Sequence, residues 1–271
     1  MIPARFTYQR ASSVDEALAA VAEHGDDAKL LAGGQSLLPL MKLRFAAPEL
    51  IVDIGPLDEL RYVRLDGDEL AVGAMTRHHD LQHDAVLAEH APVLAQVAAS
   101  VGDPQIRHRG TIGGSLVHAD PAADLPAAVL ALDGTLIARG PSGERRIPAA
   151  EFFQGPFETP LAPEELLTEI RVPVQDGLGW GFEKFTRRAL DWAIVGVVVA
   201  GRSVALVNMG GTPLRASAVE AALARGASAA EAASVAAEGT SPADEPHATV
   251  EYREHLARVL TERALVSAGV S

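Results

Sequence analysis

Apolar residues recur along the chain with two periods, and the switches between them lay out most of the fold. Ala17, Leu18, Val21 and Ala22 follow Ser13-Val14-Asp15-Glu16. That order predicts a capped amphipathic helix, in which the serine hydroxyl and the glutamate satisfy first-turn N–H groups and Gly25 closes the far end. A short strand, Lys29 to Leu31, runs into Ala32-Gly33-Gly34-Gln35-Ser36, and Leu37 to Leu43 predicts a helical turn. Leu50 to Ile54, Leu60 to Leu65 and Glu69 to Ala74 read as extended, the last two joined at Asp66-Gly67-Asp68 as a hairpin. From Thr76 to about Gly102, Leu81, Val86, Leu87, Val93, Leu94 and Val97 return at helical spacing, and Pro92 divides the stretch into two helices.

Asp103 to Pro126 is rich in Gly, Pro and Asp and reads as irregular, the kind of long connection that in compact domains is usually functional. Ala127 to Leu132 is helical in pattern, and Leu136 to Arg139, Arg145 to Ile147 and Leu167 to Val172 are strand-like. Beyond Pro173 the character changes. Gly179 to Arg187 alternates as a strand, Ala193 to Ala200 and Val204 to Met209 pair about Gly201-Arg202, and three Ala-rich helices follow at 215–225, 229–237 and 250–266. These elements predict an α+β protein with small antiparallel or mixed sheets, divided near residues 174–180 into units 1–176 and 177–271.

With 271 residues and 48% hydrophobic side chains the chain can bury a core. The net charge of −13 argues against nucleic acid held by phosphate neutralisation. The imbalance sits in residues 1–176, with 14 basic and 26 acidic side chains, against 9 and 10 in the remainder. There is no cysteine, so iron–sulfur clusters, thiolate–zinc sites, disulfides and thiol nucleophiles are not built from this chain. The N-terminus lacks the apolar core of a signal peptide, and the longest apolar run, Trp192 to Gly201, is about half of the ~20 residues that span a bilayer. A cytoplasmic protein with no membrane span is expected.

Two glycine pairs carry the candidate chemistry: Ala32-Gly33-Gly34-Gln35-Ser36 and Thr111-Ile112-Gly113-Gly114-Ser115. A diphosphate needs several converging N–H donors, and glycine lets the main chain approach where a side chain would hold the oxygens away. Either pair alone reads more readily as a simple turn, and it is the two together, each beside hydroxyls, that bring the anion-binding reading level with it. Neither the Gly-x-Gly-x-x-Gly fingerprint nor a phosphate loop ending in Gly-Lys-Ser/Thr occurs, so any dinucleotide is bound in another way. No Gly-x-Ser-x-Gly elbow supports a serine hydrolase. His79 and His83, four apart on a helix, make either two metal ligands or a solvated helix surface. Arg107-His108-Arg109 is a basic cluster in an acidic half, suited to a diphosphate, to an acidic partner or to solvent.

Taken together, Ala32-Gly33-Gly34-Gln35-Ser36-Leu37-Leu38-Pro39, Asp103-Pro104-Gln105-Ile106-Arg107 and Thr111-Ile112-Gly113-Gly114 through Asp124-Leu125-Pro126 resemble the FAD-binding medium subunit of molybdenum hydroxylases, the carbon monoxide dehydrogenase and xanthine dehydrogenase group. The resemblance runs nearly end to end and includes Tyr252-Arg253. It implies an α+β fold of the vanillyl-alcohol-oxidase or PCMH type, two subdomains dividing near residue 54 with FAD between them, followed by a smaller α+β domain. Residues Ala32, Gly33, Gly34, Gln35 and Ser36, with Thr111, Ile112, Gly113, Gly114 and Ser115, would be the loops holding the FAD diphosphate. Asp124 would bond the sugar or ribityl portion, or else only cap a helix. Lys184 is similar to a basic residue near the flavin, where it would stabilise the reduced anionic ring and raise its potential; a surface cation is the other reading. Leu167 would pack beside it. Trp192 would cover a ring face or plug a domain junction.

Two departures from the family pattern stand out. Ser115 replaces a common Asn, and Gln35 stands where some proteins of this fold carry a histidine joined covalently to flavin, so the expected FAD is noncovalent. The resemblance implies a flavoprotein that passes electrons from the [2Fe–2S] clusters of a small subunit to an external acceptor, beside a large molybdenum-cofactor subunit, in a dimer of heterotrimers. No side chain would act as nucleophile or obligatory acid, and no metal is expected. A stand-alone FAD-dependent reductase or oxidase and a cofactor-less interaction subunit are the alternatives.

Overall fold

The computed structural model describes residues 2–271. Strands β1 (Thr7–Arg10), β2 (Ala28–Leu31) and β3 (Leu50–Asp53) form a parallel sheet with β3 in the middle. Parallel neighbours need crossovers, and the helices Val14–His24 and Leu37–Leu43 lie in them. Ser13 Oγ accepts the Glu16 N–H at 3.1 Å as expected, but the Glu16 carboxylate turns to the Ser12 N–H at 2.8 Å, so the reciprocal half of the capping box is displaced by one residue. Val14, Ala17, Ala20 and Val21 then pack on Ala28, Leu50 and Val52. An all-parallel sheet departs from the antiparallel or mixed one expected. Strand β1 was not expected at all: Thr-Tyr-Gln-Arg carries no apolar alternation, and it is extended because the buried strand β3 offers it a pairing edge.

The second sheet contains β4 (Val63–Asp66), β5 (Glu69–Gly73), β6 (Thr135–Gly140), β7 (Gly143–Pro148) and β8 (Leu166–Pro173), antiparallel throughout in the order β4-β5-β8-β6-β7. Between β5 and β6 the chain is helical, in more and shorter pieces than the sequence suggests. Three helices, His78–His83, Ala85–His90 and Pro92–Ala99, replace the two expected, because Asp84 is extended and its Oδ1 accepts the Leu87 N–H at 2.9 Å, starting a new helix. The expected irregular stretch 103–126 holds the helices Pro104–Arg107 and Ile112–His118 and the start of Asp124–Ala131. Asp103 and Thr111 cap the first two, and caps can start helices too short for any apolar period to reveal.

The third sheet, β9 (Trp180–Thr186), β10 (Ala193–Ala200), β11 (Ser203–Val207) and β12 (Leu214–Arg215), is antiparallel in the order β12-β11-β10-β9. Its continuous valine run is buried on both faces. Val195, Val197, Val199 and Leu206 join a core with the helices Ser217–Ala224, Ala229–Ser234 and Val250–Ser267. Val198, Ala200, Ala205 and Val207 belong instead to the core of the second sheet, beneath Pro92–Ala99 and Asp124–Ala131.

Arg253 ties the last helix to this sheet. The residue is 1% exposed, Nη1 donates to the Ile194 carbonyl at 2.6 Å, and Nη2 donates to Glu245. Arg253→Met keeps the apolar stem and removes the charged donors, so a loss of about 2–3 kcal/mol is expected in urea unfolding, the scale for buried hydrogen bonds to a charged group. A variant as stable as the parent would show that the guanidinium does not anchor the helix.

Candidate cofactor site

The first glycine loop leaves the carboxyl end of β2, where a parallel sheet opens a crevice. Gly34 takes φ +74°, a left-handed conformation that favours glycine, and turns the chain into Leu37–Leu43. Among the described residues the N–H groups of Ala32, Gly33, Gly34, Gln35 and Ser36 find no acceptor. A run of open amides at a half-buried loop is what an anionic oxygen requires.

The second glycine segment is the cap and first turn of the helix Ile112–His118, between β5 and β6, and the residues just before it pack directly on the first loop. A Cβ on Gly33 would stand 2.4 Å from the Arg109 carbonyl oxygen and 2.7 Å from Gly110 Cα, so the two main chains touch where only glycine fits. The position of a Cβ on Gly114 is 3.8 Å from Ala32 Cβ, which closes the pair from the other side. Unlike the first loop, the second has four of its five amides occupied, only the Thr111 N–H finding no acceptor among the described residues. Ile112 N–H donates to Thr76 O, Gly113 to Ala74 O and Ser115 to Thr111 O, at 2.9–3.0 Å, and Gly114 N–H donates to Thr111 Oγ1 at 3.2 Å. Its glycines therefore serve close packing, Gly113 against Ala74 and Gly110 against His78, more than donation. Burial, with Arg107 nearby, pushes the His78 ring down to about 4, so a neutral imidazole backs the loop.

Where the loops meet, a cleft of about 230 Å³ opens between the first two sheets, lined by Ala32, Asp53 and Thr111 and by four arginines, Arg10, Arg61, Arg77 and Arg109. Arg61 is paired with Asp58 at 2.8 Å. Among the described residues Arg10, Arg77 and Arg109 have no ion-pair partner. A positive cleft in the acidic part of the chain suits a phosphate-bearing ligand. Sequence reading singled out Arg109 only. The other three are spread over three separate segments, and nothing local marks their convergence.

Asp124 and Lys184, sixty residues apart, meet in a buried ion pair: Lys184 Nζ donates to Asp124 Oδ2 at 2.7 Å and to the Ser100 carbonyl at 3.3 Å. Asp124 is 4% exposed and heads the helix Asp124–Ala131, while Lys184 lies opposite Gly196 on β9. Burial raises the Asp124 carboxyl to about 6, with Lys184 opposing that rise. Its second oxygen, Oδ1, is buried and has no hydrogen-bond partner, a costly arrangement unless a ligand donates to it. Asp124 is the first residue of its helix and its carboxylate accepts no helix N–H, so it is not the cap, and Lys184 is a largely buried rather than a surface cation. Trp192 stands just before β10 and is 59% exposed. Leu167 is 3% exposed, in the same apolar core as Ile112, Leu116 and Leu125, so the structure brings its side chain to the core and not to an open surface.

The rings of His79 and His83 lie 4.5 Å apart and that of His108 lies 3.9 Å from His79. Among the described residues no group of three or more His, Cys, Asp or Glu is arranged to hold a metal ion, and no helix is long and apolar enough to cross a membrane. The residues fit a flavin dinucleotide on three counts: open amides beside a glycine contact, unpaired guanidinium groups, and an orphaned carboxylate oxygen.

Comparison with known proteins agrees. Residues 4–175 match the family described as the FAD binding domain in molybdopterin dehydrogenase, and residues 180–268 match the CO dehydrogenase flavoprotein C-terminal domain. The carbon monoxide dehydrogenase medium chain of Hydrogenophaga pseudoflava is 40% identical, covering 99% of this chain and 98% of its own. The 6-hydroxypseudooxynicotine dehydrogenase complex subunit alpha of Paenarthrobacter nicotinovorans is 38% identical over 99% and 96%. A solved structure of carbon monoxide dehydrogenase from Hydrogenophaga pseudoflava superposes with a TM-score of 0.93 at 41% identity, covering 99% of each chain. The α+β architecture expected from the sequence, an FAD-binding domain followed by a flavoprotein C-terminal domain, is the one found. The chain belongs to the FAD-binding medium subunits of the molybdenum hydroxylase family, which are flavoprotein components of oxidoreductases.

Proposed function

We propose that this chain carries electrons through a noncovalently held FAD, from the [2Fe–2S] clusters of a small subunit to an external acceptor, while a large molybdenum-cofactor subunit oxidises the substrate. The observation that supports this most is the contact between the two glycine loops, which sets five open amides beside three unpaired arginines. When bound, FAD supplies the link between one-electron and two-electron transfer. The chain's own part is to hold, orient and shield it. The first loop's amides with Arg77 and Arg109 would take the diphosphate, Asp124 Oδ1 would accept a hydroxyl of the ribityl chain, and Trp192 would lie toward the ring system. Lacking cysteine, the chain leaves cluster chemistry to a partner. Leu38, Leu43 and Phe45 remain exposed around the helix Leu37–Leu43, apolar surface that another subunit could cover.

The wider reading keeps a dimer of heterotrimers, a cytoplasmic setting, and a division into units 1–176, itself in two parts about residue 54, and 177–271. Relatives whose names specify carbon monoxide and 6-hydroxypseudooxynicotine are almost equally similar, so the substrate is assigned to the partner that binds it.

The purified chain should carry, or take up, one FAD that acid releases intact, read from its visible spectrum. In Gly114→Val the added Cβ stands 2.9 Å from Thr111 Oγ1 and 3.8 Å from Ala32 Cβ, and the branched side chain enters the gap between the loops. FAD content is therefore expected to collapse with the far-UV circular dichroism largely kept. Full FAD content in that variant would refute the loop assignment. In Arg77→Gln and Arg109→Gln the FAD dissociation constant should rise about tenfold each, the scale of one charge-assisted contact, with a shallower salt dependence. Unchanged affinity and salt slope would remove the arginines from the diphosphate site.

A further inference from the structure

The buried pair of Lys184 and Asp124 has an asymmetry that a simple structural ion pair does not need. One carboxylate oxygen receives the ammonium, and the other is sealed from water with no donor. Lys184 gives two of its three ammonium donors to Asp124 Oδ2 at 2.7 Å and to the Ser100 carbonyl at 3.3 Å, so its shortest bond is to the carboxylate. We propose that Lys184 is a positioning residue for Asp124: the ion pair holds that carboxylate ionised and oriented, so that its unpartnered oxygen accepts a hydroxyl of the cofactor's polyol chain. This rests on the FAD reading above, and it moves the lysine's role from tuning the flavin ring directly to maintaining an acceptor for the ligand.

The electrostatic surroundings leave the lysine alone in that task. The helix Asp124–Ala131 packs against Pro92–Ala99, β10 and β11, none of which carries an ionisable side chain. From the helix Ile112–His118 comes His118, whose titration is lowered by its own burial. From β12 comes Arg215, bonded to Asp133 and Glu220, and from Ala149–Phe152 comes Glu151, an exposed carboxylate. On β9, Glu183 neighbours Lys184 in sequence but alternation points it to the other face of the strand. Ionised Asp124 is the acceptor, so cofactor affinity should fall as pH drops through its titration, which in the free protein lies near 6. Removing Lys184 takes away the one influence that lowers that titration, so the acid limb must move upward.

The test is FAD affinity of the full-length apoprotein, measured by quenching of flavin fluorescence from pH 5.0 to 9.0. The proteins compared are the parent, Lys184→Met, Lys184→Arg and the double variant Lys184→Met/Asp124→Asn. The parent should weaken below about pH 6. Lys184→Met should shift that limb upward by about two pH units, so that affinity at pH 7 falls about tenfold and recovers toward pH 9. Lys184→Arg should restore the parent profile. The double variant, with no charge left buried, keeps the fold testable even if Lys184→Met alone is unstable, and should bind weakly with no acid limb. A parent profile in Lys184→Met, a loss equal at every pH, or an acid limb surviving in the double variant would overturn the proposal. A shifted flavin reduction potential with unchanged affinity would likewise assign the lysine to the ring. Failure of the parent to bind FAD at any pH would instead overturn the functional reading itself.

Discussion

The site depends on one close approach of main chain to main chain. Gly33, two residues beyond β2 of the parallel sheet, meets Arg109 and Gly110, which are tied to the segment that follows β5 by hydrogen bonds from His78 N–H to Gly110 O and from Ile112 N–H to Thr76 O. A methyl group at residue 33 would force the two backbones apart. Because one segment follows a strand of the parallel sheet and the other is tied to the chain beyond β5, that contact sets the two glycine segments against each other beside the arginine cleft. The helices and strands on either side serve to bring these few atoms together.

The two glycine pairs look alike in sequence and do different things. The first leaves its donors open, and the second uses its own on Ala74, Thr76 and Thr111 and is glycine-rich because other chain segments crowd it. A dianionic ligand at this point is therefore met by amides from one side and by guanidinium groups from the other. The overall charge of −13 conceals this, since the acidic residues are numerous and the cleft's arginines are few but unpaired.

Much of this was legible from residues alone. The valine run of β10, the Asp-Gly-Asp turn before β5 and the serine cap of the first helix each declare themselves within a few positions, because their physics is local. Strand β1 was silent, since its extension comes from a neighbour and not from its own side chains. The short helices of 103–126 were hidden because a cap and one turn leave no period to count. At the site, the glycine loops and Asp124 were visible as motifs. The pairing of Asp124 with Lys184, the convergence of Arg10, Arg61 and Arg77, and the inward placement of Leu167 are properties of the folded chain across long sequence separations, which no local pattern encodes.

The third sheet gives the molecule a further property. Its two faces serve different cores, one made with the C-terminal helices and the other shared with Pro92–Ala99 and Asp124–Ala131. Lys184 hangs from the same sheet, so the buried Asp124 carboxylate is clamped to that sheet as well. Val198, Ala200, Ala205 and Val207 must therefore fit the helices Pro92–Ala99 and Asp124–Ala131 as well as their own sheet. The segment can be inherited with the flavin half, but it cannot drift independently of it.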